Sequence, residues 1–298
     1  MHKYSRFFNE IFTSPMIVSE NGLNQYLPVL KAFYEKGILE FPERQPLAIS
    51  ILDLFGMPIK DDKELETDGN VAIIPIQGVL TRAGSWWDPG TEEIANLIDE
   101  ANNDASIAAI ILRTNCYGGS VDSLSPIQAI LSKKKKPCIA AVDSVSYSLG
   151  YFISALCDKI YAVDKMCSVG SIGIMATYTD YSEYYKQYGI KQITVYPPES
   201  NWKNKPQREA LDGKPELLIK EELTPWAQHF QETVRANRPN LNESIEGTLQ
   251  GRTFFANYTQ ENAMMNGLVD GIMPFNEIIQ YAFNSATAKK ASKSIFTN

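Results

Sequence analysis

The stretch Ser144-Val-Ser-Tyr-Ser-Leu-Gly-Tyr151, followed by Ser168-Val-Gly-Ser-Ile-Gly173, holds the residues of this chain whose types and spacing suit nucleophilic chemistry. Ser148 stands at the start of an apolar helix-forming run, next but one to Gly150, where another backbone can approach closely. A serine hydroxyl becomes a useful nucleophile only when a base takes its proton. The chain has two histidines, His2 near the N-terminus and His229 in a charged helix-forming stretch. The usual imidazole base is therefore not at hand. A lysine can take that role, and Lys203, in Ser200-Asn-Trp-Lys-Asn-Lys-Pro206, is the candidate, with Lys205 its close competitor. Together they point to a Ser–Lys peptidase.

A lysine base is costly. The ordinary lysine pKa is about 10.4, so about one side chain in 2,500 is neutral at pH 7. Desolvation must lower that value by about 3 units, at roughly 4 kcal/mol, which is justified only at a functional site. Trp202 beside Lys203 could supply the apolar wall. Gly118-Gly119 follows an apolar strand and precedes a helix, a place where backbone N–H groups can stabilise a developing oxyanion. Ser171, in Gly170-Ser-Ile-Gly173, could orient the lysine amine. Each piece also has an ordinary explanation. A serine at a helix start is commonly an N-cap, a lysine in a polar loop is solvated, and paired glycines make turns or cradle phosphates. Ser144 and Ser146 compete with Ser148 on type alone.

The elements that must position these residues alternate. Val71–Ile76 reads as a short apolar strand ended by Gly78, and 92–102 has helical periodicity through Ile94, Leu97, Ile98 and Ala101. Ile107–Leu112 is a continuous apolar run of the kind buried on both sheet faces. After Asn115-Cys-Tyr-Gly-Gly-Ser120 come a helix to Leu131, a strand over 138–142, the helix opened by the Ser148 segment and a strand over 159–163. Such repetition implies a largely parallel sheet. A long polar helix follows Pro206 to about Asn237, then a strand over 252–255, a helix to Asn266 and the closing segment 268–272.

Residues 1–65 read as a helical N-terminal extension, with apolar spacing from Leu23 to Ile38 and Pro28 starting or kinking that helix. The polar stretch 60–68 is the linker to a domain over 66–275, and 276–298 reads as a C-terminal helix with a disordered tail at 287–294. Lys133–Lys136 sits at a helix C-terminus as a solvated cap.

The chain's 298 residues carry a net charge of −7, with 44% hydrophobic and 21% charged residues, the composition of a soluble globular protein. The charge argues against nucleic acid as the main partner. Cys116, Cys138, Cys157 and Cys167 lack metal-ligand spacing and read as buried free thiols in a reducing compartment. No apolar run reaches the ~20 residues of a membrane span, and no signal-peptide core is present, so the expected location is cytoplasmic.

These residues, in this order, resemble the signal peptide peptidase A family of Ser–Lys peptidases over about residues 70–273. The matching pieces are the strand ending at Gly78, Gly118-Gly119-Ser120, Lys136-Pro137, Tyr147-Ser148-Leu-Gly-Tyr151, Val169-Gly-Ser-Ile-Gly173, Trp202-Lys203 before Pro206-Gln-Arg-Glu209, and Gly251-Arg252 with Gly267-Leu-Val-Asp270. Within the family the chain looks most like the phage and prophage head-protein proteases, whose extension resembles the one holding Phe12-Thr-Ser-Pro-Met-Ile-Val18. The resemblance implies an α/β fold of repeated ββα units shared with Clp proteases and crotonases. It implies cofactor-free peptide hydrolysis with Ser148 as nucleophile, Lys203 as general base, Gly119 as oxyanion-hole amide and Ser171 positioning the lysine. It also implies a ring-like homo-oligomer, whose subunits can share the dyad, and polypeptide substrates such as capsid or scaffold proteins. Leu149 stands where many relatives have glycine, and Cys116-Tyr117 replaces a more common Ser-Pro. Two rivals remain. One is an inactive capsid-assembly scaffold of the same fold, the other a crotonase-type acyl-CoA enzyme.

Overall fold

Apolar residues that alternate faces along a strand demand cover on both sides, and the sheet of this protein receives it. The computed structural model describes residues 16–18, 47–53, 56–59, 69–85, 88–178 and 180–296. In chain order the main elements are β1 (Met16–Val18), β2 (Ser50–Leu52), β3 (Asn70–Leu80), α1 (Thr91–Asn103), β4 (Ile107–Ser120), α2 (Leu124–Leu131), β5 (Cys138–Tyr147) and α3 (Leu149–Ala155). They continue with β6 (Lys159–Ala162), β7 (Ser168–Gly170), α4 (Ser182–Gln187), α5 (Lys205–Leu211), α6 (Thr224–Asn237), β8 (Thr253–Phe255), β9 (Gly271–Ile272) and α7 (Phe275–Phe296). The central order is β2-β3-β4-β5-β6-β9, with β1 on β4, β7 on β5 and β8 on β7. The β3–β4, β4–β5, β5–β6, β5–β7 and β6–β9 pairs are parallel. This is the expected α/β class.

On one face Ile74, Ile76, Ile110 and Leu112 pack with Ile94, Ile98, Ile127, Phe152 and Phe230 from α1, α2, α3 and α6. On the other, Val71, Ile73 and Ile111 pack with Ile278, Ile279 and Ala282 of α7. Burial on both faces explains why these strands read as continuous apolar runs.

Several expectations are corrected. Gly78 does not end its strand: at φ 74 it makes a register shift, after which Val79 and Leu80 still pair with Gly118 and Gly119. Asn115–Ser120, read as a turn, is strand, because β3 continues to pair with it on one side and β1 joins on the other. The segment 257–266 is turns and not helix. There Asn262 donates to the Thr259 carbonyl and accepts from the Met265 amide, local bonds that compete with a helix ladder. The polar helix after Pro206 is broken around Gly213 and Pro215, and from Glu216 a π-helical stretch over Ile219–Leu223 leads without a break into α6. The stretch 287–294 is helical within α7. The extension is not purely helical, since β1 and β2 both join the sheet. The helix expected over 23–38 and the 60–68 linker lie outside the described residues. Lys134 and Lys136 do cap helices, but neighbouring ones, donating to the Leu156 and Ala101 carbonyls at 2.9 and 2.7 Å. All four cysteines are buried and free.

Candidate functional site

β5 runs parallel to β4 and stops at Tyr147, and α3 starts at Leu149, so Ser148 is the whole turn between strand and helix. It has φ 53 and ψ −117, a backbone region that costs a side-chain-bearing residue about 1–3 kcal/mol. The residue is held there from both sides. Its amide donates to the Gly170 carbonyl at 2.8 Å, and its carbonyl accepts from the Phe152 amide at 2.8 Å. Its side chain makes no capping hydrogen bond, so an N-cap role does not explain it. Ser148 is 1% exposed. Its neighbours fall away as rivals: the Ser146 hydroxyl is paired with Ser154 at 2.9 Å, and Ser144 is exposed on the strand.

Ser171 lies beside this turn. β7 pairs with the end of β5, Gly170 opposite Tyr147, and Ser171 follows at φ 53 with its amide donating to the Arg252 carbonyl at 3.0 Å. Ser171 also lines a cleft of about 360 Å³ with Ile172, Met175, Gln231 and Leu249.

Gly119 is fixed by what surrounds it. A Cβ there would lie 2.0 Å from the Leu80 carbonyl oxygen and 2.7 Å from Leu149 Cδ2, so the glycine is packed against the residue that follows Ser148. Gly118 takes φ 118, and its amide points to the Cys116 sulfur at 3.4 Å. Burial pushes the Cys116 thiol up to about 12, which keeps it protonated and inert. A Cβ on Gly150 would meet the Cys116 Cβ at 2.9 Å, so α3 sits directly on β4. Leu149, in the first turn of α3, was not singled out from sequence as a donor. First-turn N–H groups have no intrahelical partner, and only the position after the candidate nucleophile could have flagged it. Below, Tyr151 donates its buried hydroxyl to the Leu268 carbonyl at 2.9 Å.

The structure therefore brings Ser148, Ser171 and Gly119 together through β4, β5 and β7. Lys203 is not hydrogen-bonded to any of the three. Lys203 is exposed, and among the described residues its ammonium makes no hydrogen bond or ion pair, with Ser148 or with anything else. Lys205 is engaged: it lies 3.8 Å from Glu209 and 4.4 Å from the Trp202 ring centroid. Trp202, 60% exposed, walls Lys205 and not Lys203. His229 is hydrogen-bonded to Gln128 at 3.1 Å, under Phe152 and Trp226. Among the described residues no group of His, Cys, Asp or Glu side chains is placed to hold a metal ion, and no helix is long and apolar enough to cross a membrane.

A buried serine at a strained strand-to-helix turn, next to a glycine-walled backbone edge, is an arrangement that acyl-transfer chemistry could use. Sequence comparison makes this specific: the chain belongs to peptidase family S49, whose model matches residues 130–289, a span that includes Ser148, Ser171 and Lys203 and begins after Gly119. It is 28% identical to Protease 4 of Haemophilus influenzae over 71% of this chain and 34% of that one. It is 22% identical to capsid assembly protease C of Escherichia phage lambda, over 74% of this chain and 50% of that one. The chain thus spans about a third to a half of the length of these relatives. Similar solved structures include a mutant of the 1510-N membrane-bound stomatin-specific protease (17% identity, 70% of this chain and 82% of that one, TM-score 0.45). An enoyl-CoA hydratase/isomerase family member is also similar (19% identity, 83% and 75%, TM-score 0.38).

Proposed function

We propose that this chain is a serine endopeptidase using Ser148 and Lys203 as a dyad. The observation that carries the reading is the Ser148 turn, where a buried serine free of capping duty is held at φ 53 beside Gly119 in a chain of family S49. Neutral Lys203 takes the Ser148 proton as Oγ attacks the scissile carbonyl carbon. The amides of Gly119 and Leu149 face the developing oxyanion. As the intermediate collapses the C–N bond breaks, and the lysine returns its proton to the leaving amine. Water, deprotonated by the same lysine, then hydrolyses the acyl-Ser148 ester. Ser171 orients the amine.

Lys203 is preferred to Lys205 on geometric grounds. The Lys205 ammonium is already engaged by Glu209 at 3.8 Å and the Trp202 ring at 4.4 Å, whereas that of Lys203 makes no hydrogen bond or ion pair among the described residues. Lys203 is exposed in the single chain, so its desolvation must come from outside. The surrounding segment carries Tyr181, Tyr184, Tyr188, Ile190, Ile193 and Val195 at the surface. An exposed apolar run of this size suits cover by a second copy, as in a ring-like homo-oligomer. The substrates are extended polypeptides, with capsid or scaffold proteins favoured by the likeness to the lambda capsid assembly protease, and the setting is a cytoplasm in which such particles assemble.

Digestion of an unstructured polypeptide tests this. Wild-type protein should cleave it, and Ser148→Ala should lower the rate by about 10³-fold or more. Equal cleavage by the two proteins would overturn the assignment, and no cleavage by either would favour the inactive scaffold.

A further inference from the structure

The edge of β4 beside Ser148 is already occupied. On its other side β4 pairs with β3 as far as Leu80↔Gly119. On the Ser148 side, β5 accompanies β4 only as far as Cys116↔Ser146 and then turns away into Ser148. Beyond that point the edge belongs to β1, antiparallel, with Met16↔Ser120, Ile17↔Gly119 and Val18↔Gly118. Gly118 and Ser148 each follow the Cys116↔Ser146 pair by two residues, so Val18 sits level with the candidate nucleophile. The segment runs N to C toward it, from Met16 opposite Ser120 to Val18 opposite Gly118.

Building on the serine-peptidase reading, we propose that Met16–Val18 is an intramolecular occupant of the peptide-binding edge, lying where a polypeptide substrate must lie, and that substrate enters by displacing it. Main-chain pairing of an extended segment to an open sheet edge is a general way of holding peptides, and it requires a bare backbone. Gly118 and Gly119 supply that bareness. The occupant is also made to leave. Among the described residues it is three residues long and pairs with β4 alone, and so short a strand with one partner is marginal by itself. A permanent member of the sheet at this position would close the site, whereas a short one sets a threshold.

Two serine-directed probes separate the consequences. A small alkyl fluorophosphonate needs Ser148 but not the β4 edge, and a tetrapeptidyl phosphonate needs both. Because ladder bonds alternate along an antiparallel strand, Ile17→Pro and Val18→Pro between them remove a donor to β4 whichever way the register points. At least one variant should react with the peptidyl probe about tenfold or more faster than wild type, since an occluded fraction lowers apparent affinity in proportion. The small probe should label wild type and both variants at similar rates, which also shows that the variants are folded. A synthetic peptide of residues 12–20, added in trans, should slow the peptidyl probe in the faster variant. Peptidyl labelling that is unchanged or slower in both variants, or indifferent to the added peptide, overturns the occlusion. Failure of the small probe to label wild type overturns the Ser148 reading itself.

Discussion

The Ser148 amide donates to the Gly170 carbonyl at 2.8 Å, so the strand that precedes Ser171 also sets the backbone of the proposed nucleophile. Both serines stand at φ 53, each held by a bond from its own amide to a neighbouring strand or loop. Backbone strain persists only where surrounding contacts over-determine it. Here the bond to Gly170 and the first turn of α3 do so.

That strain is measurable. Ser148→Gly relieves it, while Ser148→Ala keeps it. In urea unfolding the glycine variant should be more stable than the alanine variant by about 1 kcal/mol, although glycine is ordinarily the weaker residue next to a helix. Both should lack activity. Alanine equal to or above glycine in stability would show the turn to be unstrained.

At Gly119 the limit is space. An added Cβ would lie 2.0 Å from the Leu80 carbonyl oxygen, a backbone atom that cannot swing aside. Gly119→Ala must part β3 from β4 or push Leu149 away, and overpacking of this kind costs about 1–3 kcal/mol. Thermal unfolding should report that loss, and hydrolysis should fall further than it does in a control of matched stability. Tyr151→Phe is a suitable control, since it removes only the bond to the Leu268 carbonyl, worth about 1–2 kcal/mol.

Asp270 locks the end of the domain and gives a pH signature. Burial alone would raise its carboxyl. The Arg238 guanidinium at 2.8 Å, the Ile160 amide at 2.8 Å and the Lys159 ammonium at 3.0 Å outweigh burial and hold it below the usual carboxylate range. A depressed folded-state value adds stability that is present above the unfolded value of about 3.9 and is lost as pH falls through the folded one. Asp270→Asn leaves Arg238 buried without its counter-charge and should cost about 3 kcal/mol at pH 7. The gap between the two proteins should narrow as pH drops below about 4. A gap independent of pH would contradict the ion-pair account.

Much of the scaffold was readable because burial leaves periodic traces. Ile94, Leu97, Ile98 and Ala101 mark α1, and the doubly covered strand over 107–112 shows as an unbroken apolar run. What could not be read depends on pairing between distant segments. Asn115–Ser120 has turn-like residues and becomes strand only because β3 and β1 lie on either side. Gly118 and Gly119 look alike in sequence, yet one takes φ 118 and the other is pressed against Leu80 and Leu149. Ser146 and Ser148 differ in their surroundings, since Ser154 claims the first hydroxyl and the second makes no capping bond. In the lysine segment the distinction is local: Lys205 opens α5 four residues before Glu209, an i,i+4 spacing, whereas Lys203 precedes the helix.

The central claim is that Ser148 is an activated nucleophile served by Lys203. The most direct measurement is intact mass with peptide mapping after fluorophosphonate treatment of the assembled protein, across pH 6–10. Wild type and Lys205→Ala should each gain one adduct, on Ser148, and Ser148→Ala and Lys203→Ala should gain none. An adduct on Lys203→Ala at the wild-type rate, or on a residue other than Ser148, would contradict the account.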